Sequence, residues 1–243
     1  MALASSGGVV NIGQSASGGS ASSPFGVGGS MARFSVVNNY LYAVSTTALK
    51  VLSIQNAADP VFSNNVTIGQ NIETIYPFNN KLFIGSNAGM FIYDISNPTN
   101  PLRQGQFSHT RSCDPVIADN NYAYVTLRSG TFCQGFTNQL EVLDIANLSN
   151  PLLLKTYAMT NPHGLAKDGN QLIICDGKDG LKFYDASSPA SNIVLKKTIS
   201  GPETYDVIAF GGWALMVAKD GLYQYSYDNL FNVTQLSRMP VKN

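Results

Sequence analysis

One repeat, used five times, constrains this chain more than any other feature. An aromatic-apolar alternation follows a tight turn at Asn39-Tyr40-Leu41-Tyr42, Asn80-Lys81-Leu82-Phe83, Asn121-Tyr122-Ala123-Tyr124, Asn170-Gln171-Leu172-Ile173 and Gly212-Trp213-Ala214-Leu215. The starts at 39, 80, 121, 170 and 212 are spaced by 41, 41, 49 and 42 residues. The long interval holds an insertion around Ser129–Thr137. A second signature follows each time: Leu49-Lys50-Val51-Leu52-Ser53-Ile54, Met90-Phe91-Ile92-Tyr93-Asp94-Ile95, Leu140-Glu141-Val142-Leu143-Asp144-Ile145, Leu181-Lys182-Phe183-Tyr184-Asp185-Ala186 and Leu222-Tyr223-Gln224-Tyr225-Ser226-Tyr227. Four of the five lead into a proline turn: Asp59-Pro60, Asn100-Pro101, Asn150-Pro151 and Ser188-Pro189.

Period-2 patterning between such turns specifies strands, and the density of Gly, Pro and Asn forbids long helices. Each repeat holds four short strands, in the first at roughly 31–37, 40–44, 49–54 and 61–68. Four antiparallel strands per ~40 residues is the arithmetic of a propeller blade. The expectation is an all-β, five-bladed β-propeller over 31–243. Each repeat has its own four strands, so closure requires no strand exchange. An added N-terminal strand, for which Val9-Val10-Asn11-Ile12 is the one apolar piece, would change that.

Residues 1–30 contain eight Gly and eight Ser and read as a flexible tether. Lys+Arg and Asp+Glu are both 15, so bulk positive charge for nucleic acid is excluded. Charged residues make up only 12% of the chain, about half the usual ~25%. No apolar stretch approaches the ~18 residues of a membrane-spanning helix.

The pattern Leu-x-Val-x-Asp-Ile followed by Asn-Pro resembles the LVIVD-repeat proteins. Longer segments resemble its branch of Bacteroidota surface lipoproteins: Gly29-Ser30-Met31-Ala32-Arg33-Phe34, Ser112-Cys113-Asp114-Pro115, Tyr124-Val125-Thr126-Leu127-Arg128-Ser129-Gly130, Thr160-Asn161-Pro162-His163-Gly164-Leu165 and Tyr205-Asp206-Val207-Ile208. The resemblance spans roughly 29–241. It implies an extracytoplasmic propeller on a lipidated tether at the outer membrane, facing outward, and implies no activity. The lipobox cysteine of such proteins is not in this chain, so an anchor would lie upstream.

Propeller geometry turns spacing into location. The first strand of each blade lines the channel. The turns between first and second strands, such as Asn38-Asn39, form one end. The loops between second and third strands form the other, here called the top. Counting back from the aligned turns puts Ala32, Glu73, Asp114, His163 and Tyr205 at one equivalent position. Arg33, Thr74, Pro115, Gly164 and Asp206 follow them. Glu73, Asp114 and His163, with Arg33 or Asp206, are therefore expected at the top mouth of the channel, and Arg128 and Asp176 in loops nearby.

Such a ring can simply satisfy channel water and strand-end backbone groups. Alternatively, carboxylate and imidazole could hold a carbohydrate or a divalent cation. Two carboxylates could also act on a glycosidic bond. No catalytic set and no resident cofactor is read from the residues. The first reading of function is a non-enzymatic surface module that binds a protein partner through the top face and the blade-3 insertion. Cys113 and Cys133 both fall at the top of blade 3, where a disulfide would close about twenty residues and fit an oxidising compartment. Cys175 reads as a buried free thiol. His109 reads as a solvated loop residue, and Asp176-Gly177-Lys178-Asp179-Gly180 as a hairpin turn.

Overall fold

A computed structural model describes residues 28–108, 115–130 and 137–241. The chain is a five-bladed β-propeller without helices among those residues. Blade 1 comprises β1 (Phe34–Val37), β2 (Tyr40–Val44), β3 (Ala48–Ser53) and β4 (Val61–Thr67). Blade 2 comprises β5 (Ile72–Phe78), β6 (Lys81–Ser86), β7 (Gly89–Asp94) and β8 (Leu102–Ser108). Blade 3 comprises β9 (Val116–Ala118), β10 (Tyr122–Leu127), β11 (Gln139–Asp144) and β12 (Leu152–Ala158). Blade 4 comprises β13 (Leu165–Asp168), β14 (Gln171–Cys175), β15 (Leu181–Ser188) and β16 (Asn192–Ile199). Blade 5 comprises β17 (Thr204–Phe210), β18 (Trp213–Ala218), β19 (Gly221–Tyr227) and β20 (Val233–Pro240). Within each blade, consecutive strands pair antiparallel in chain order.

The repeat signature has a physical reading. Its apolar positions on the third strand are fully buried: Leu49, Val51, Met90, Ile92, Leu140, Val142, Leu181 and Phe183. The Asp that follows closes the next turn. Asp94, Asp144 and Asp185 accept hydrogen bonds from the amides of Ser96 (2.7 Å), Ala146 (2.8 Å) and Ser187 (3.1 Å). Ile95 and Ile145 then tuck inward at 2% exposure. At the bottom, Asn38-Asn39, Asn79-Asn80 and Gly211-Gly212 all take positive φ, as two-residue primed hairpin turns require.

Blade 1 departs from expectation at its start. Its first strand begins at Phe34 rather than 31, because Ser30 and Met31 form a turn, closed by the Ala32 amide donating to the Gly29 carbonyl (3.1 Å). The Ala32 carbonyl accepts from the Ile75 amide of blade 2 (2.9 Å). The chain enters the body before residue 31, since Ser30 is 1% exposed and bonded to blades 4 and 5.

Four apolar clusters hold the blades together, between blades 1 and 2, 2 and 3, 3 and 4, and 4 and 5. Among the described residues, no such cluster joins blade 5 to blade 1. Polar stitches reinforce the others. Tyr42 donates to the Pro98 carbonyl (3.1 Å). Asp168 accepts from the Gly212 amide (2.9 Å) and the Tyr227 hydroxyl (2.7 Å).

Candidate functional site at the channel mouth

The equivalence of first strands brings Glu73 and His163 to one place, and Arg128 joins them from the loop after β10. They line a cavity of about 30 Å³ together with Met31, Thr74 and Pro115. That is room for about one water molecule.

His163 is fixed through its backbone and its ring. Its amide donates to the Cys175 carbonyl (2.7 Å), and its carbonyl accepts from the Thr126 hydroxyl (2.6 Å). Its ring tilts over Tyr205, with centroids 5.4 Å apart. The Arg128 guanidinium lies against the ring, 2.9 Å from Nε2, and the Asn161 amide is 3.2 Å from the same nitrogen. Burial, then the Arg128 charge, push the imidazole down to about 4. It is therefore neutral at neutral pH and can accept from Arg128.

Burial raises the Glu73 carboxyl, and the charges of Arg128 and Arg33 pull it back. The Arg33 guanidinium also approaches the Ile72 carbonyl (3.4 Å). The charged groups at this mouth thus act chiefly on one another and on strand-end backbone.

Asp206 sits apart from that cavity. It accepts from the Val207 amide (3.0 Å) and from the Ser30 hydroxyl (3.4 Å), while Ser30 itself accepts from the Leu165 amide (2.8 Å). A β-carbon at Gly29 or Gly164 would collide with the Asp206 carboxylate, so both glycines are needed for the close approach. Burial raises this carboxyl to about 6 against those hydrogen bonds.

Asp176 is fully buried within blade 4 and does not line the cavity. It accepts from the Asn161 amide (2.7 Å) and the Thr160 amide (3.2 Å), and pairs with Lys182 (2.5 Å). Its partners make it a brace for the segment carrying His163. Cys175 is a buried free thiol, held in the protonated form by burial and by the nearby Asp206 and Asp176 charges.

Asp114, Cys113, Cys133 and His109 lie outside the described residues. Among the described residues, no three His, Cys, Asp or Glu side chains converge as a metal site would require. Residue-by-residue reading missed Met31 as part of the mouth, and Gly29 and Ser30 as the segment packed against Asp206. Their Gly/Ser-rich context masks them, although they belong to the Gly29–Phe34 segment that carried the family resemblance.

Comparison with known proteins agrees with this architecture. The LVIVD repeat model matches residues 79–108 and 111–159, which cover the last three strands of blade 2 and all four of blade 3. The chain carries LVIVD repeats. No curated protein matches the sequence. Among solved structures, the periplasmic gluconolactonase of Pseudomonas aeruginosa is similar at 17% identity and a TM-score of 0.62, over 84% of this chain and 68% of that one. A functionally unknown protein from Desulfotomaculum acetoxidans is similar at 9% identity and a TM-score of 0.66, over 84% and 67%. AztD of Citrobacter koseri is similar at 12% identity and a TM-score of 0.56, over 82% and 59%. At these identities the likeness is one of fold alone.

Proposed function

We propose that this LVIVD-repeat propeller is a non-enzymatic interaction module at the cell surface, an accessory subunit of an outer-membrane protein complex. It docks a protein partner through its top face and the blade-3 insertion. A lipid anchor upstream of this chain holds it there. One observation carries the reading. Among the described residues, the charged groups lining the channel mouth are engaged with each other around a space of about 30 Å³, too small for a sugar ring. With 12% charged residues and no net charge, recognition rests on shape and local polarity rather than long-range steering.

Calorimetric titration of the purified chain with monosaccharides and with Ca²⁺, Mg²⁺ and Zn²⁺ tests this. The expected result is no saturable binding, unchanged in Glu73→Gln and His163→Gln. Saturable binding that either substitution abolishes would replace this reading with a carbohydrate or cation site at the mouth.

A further inference from the structure

The middle strands of the blades differ in a way that their sequences do not. In blades 2, 3 and 4, β6, β10 and β14 are buried on both faces along nearly their whole length. In blade 5, β18 alternates strictly between exposed and buried. Yet β18 reads Trp213-Ala214-Leu215-Met216-Val217-Ala218, with no polar residue at any of its six positions. A strand apolar on both faces is written for cover on both faces.

The uncovered face of blade 5 carries Phe210 (56% exposed), Trp213 (48%), Leu215 (39%), Val217 (47%) and Met239 (68%). Cross-strand pairing of Phe210 with Trp213 puts them side by side, and Leu222 with Met239 extends the patch. Blade 1 has the matching feature on its own outer side, where Phe34 (63%) and Phe62 (60%) are exposed beside Val36. These are the two faces that would meet in a closed ring. A contiguous apolar surface of this kind marks an interface.

The solved structures that share this fold are longer than the part this chain matches, and that excess is the measure used for what belongs there. Eighty-four per cent of 243 residues is about 204, and if this is 68% of the gluconolactonase chain, that chain has about 300. The remaining ~96 residues equal roughly two repeats of 41. The same arithmetic on the Desulfotomaculum protein gives ~100.

We propose that the sector between blade 5 and blade 1 is a seat for two further four-stranded blades, supplied by a polypeptide outside these 243 residues. That polypeptide would have ~80–100 residues and apolar outer faces, so that it completes the ring. Residues 1–27 are too few for even one 41-residue repeat. A second copy of the chain would bring five blades and its own open faces. Repeated head-to-tail, such a contact would not close. The seat is distinct from the top face and does not rest on the function proposed above.

The test places the photo-cross-linker p-benzoylphenylalanine at Trp213, and separately at Phe34, in the full chain inside the cells that produce it. Cross-linked peptides are then identified by mass spectrometry. The expected result is that both positions join one and the same polypeptide, bearing two copies of the strand-and-Asn-Pro repeat. Leu215→Lys sits on the exposed face and should leave the chain folded by circular dichroism. It should reduce the cross-linked product roughly tenfold or more, since an unpaired charge would have to be buried. Trp213 is the only tryptophan, so its emission reports on the same face: red-shifted in the isolated chain, blue-shifted in the assembly. Cross-links to a second copy of this chain, to a polypeptide without repeats, or to nothing while Trp213 stays red-shifted would each overturn the proposal.

Discussion

Replacing Asp176 by Asn should destabilise the propeller by about 3 kcal/mol. The carboxylate is fully buried and has three calls on its charge: the Lys182 ammonium at 2.5 Å and the amides of Asn161 and Thr160 at 2.7 and 3.2 Å. The asparagine oxygen can still accept one amide, but the charge is gone. Lys182, whose side chain is only 14% exposed, is left with Asp179 at 3.3 Å, a partner on a 44% exposed side chain. Breaking a buried pair by removing one partner costs ~3–5 kcal/mol, and the remaining Asp179 contact places this case at the lower end. Removing both charges in Asp176→Asn/Lys182→Met should recover part of that loss, because no ion is then buried unpaired. Urea unfolding of the wild type, both single variants and the double variant gives the cycle. A loss below ~1 kcal/mol for Asp176→Asn, or a double variant as unstable as the sum of the singles, would refute the bracing role.

Three further outcomes follow from the geometry, and a fourth from the positions of Cys113 and Cys133 in the sequence. Between about pH 4 and 6.5, His163 and Asp206 should act oppositely. The imidazole, lowered from 6.5 to about 4 on folding, contributes stability that is lost as pH falls through this range. The carboxyl, raised from 3.8 to about 6, contributes stability that is lost as pH rises through it. Thermal melts from pH 4 to 7 should therefore rise more steeply with pH in Asp206→Asn than in the wild type, and less steeply in His163→Gln; parallel profiles in all three would contradict this. Gly105→Ala should cost ~1–3 kcal/mol in urea unfolding, because its β-carbon would strike the Leu148 carbonyl of the next blade. Asp168→Ala should cost ~1–3 kcal/mol, since the Tyr227 hydroxyl and the Gly212 amide lose their acceptor. Peptide mapping without reductant should recover Cys113 joined to Cys133, a bridge worth ~3 kcal/mol for a loop of about twenty residues, and recovery of both as free thiols would remove it.

The blades were legible because two periods coincide in the sequence. Alternation at period 2 specifies strands, and a spacing near 41 fixes four of them per unit. The mouth was legible in part, because equivalent positions on first strands must surround one axis. Glu73 and His163 therefore fall together, with Arg128 from the adjoining loop. Asp176 shows where this logic ends. Its loop lies at the top as expected, but its side chain turns inward to Lys182, and spacing carries no information on side-chain direction. Ser30 was hidden for a compositional reason: Gly and Ser serve equally in a loose linker and in a segment threaded against Asp206, and only the contacts distinguish them. Ring closure was hidden because β18 reads like the covered strands of its neighbours, while its actual exposure depends on what lies beside it.

The central claim, that function resides in docking at the top face rather than in the channel, is tested most directly by quantitative co-purification from gently solubilised native membranes. Three forms are compared: the wild type, Lys178→Glu in an exposed top-face loop, and Glu73→Gln/His163→Gln in the mouth. A partner recovered in stoichiometric amount with the wild type and with the mouth variant, and lost with Lys178→Glu, is the result the account predicts. A chain that purifies alone, or a partner lost only when the mouth is altered, would contradict it.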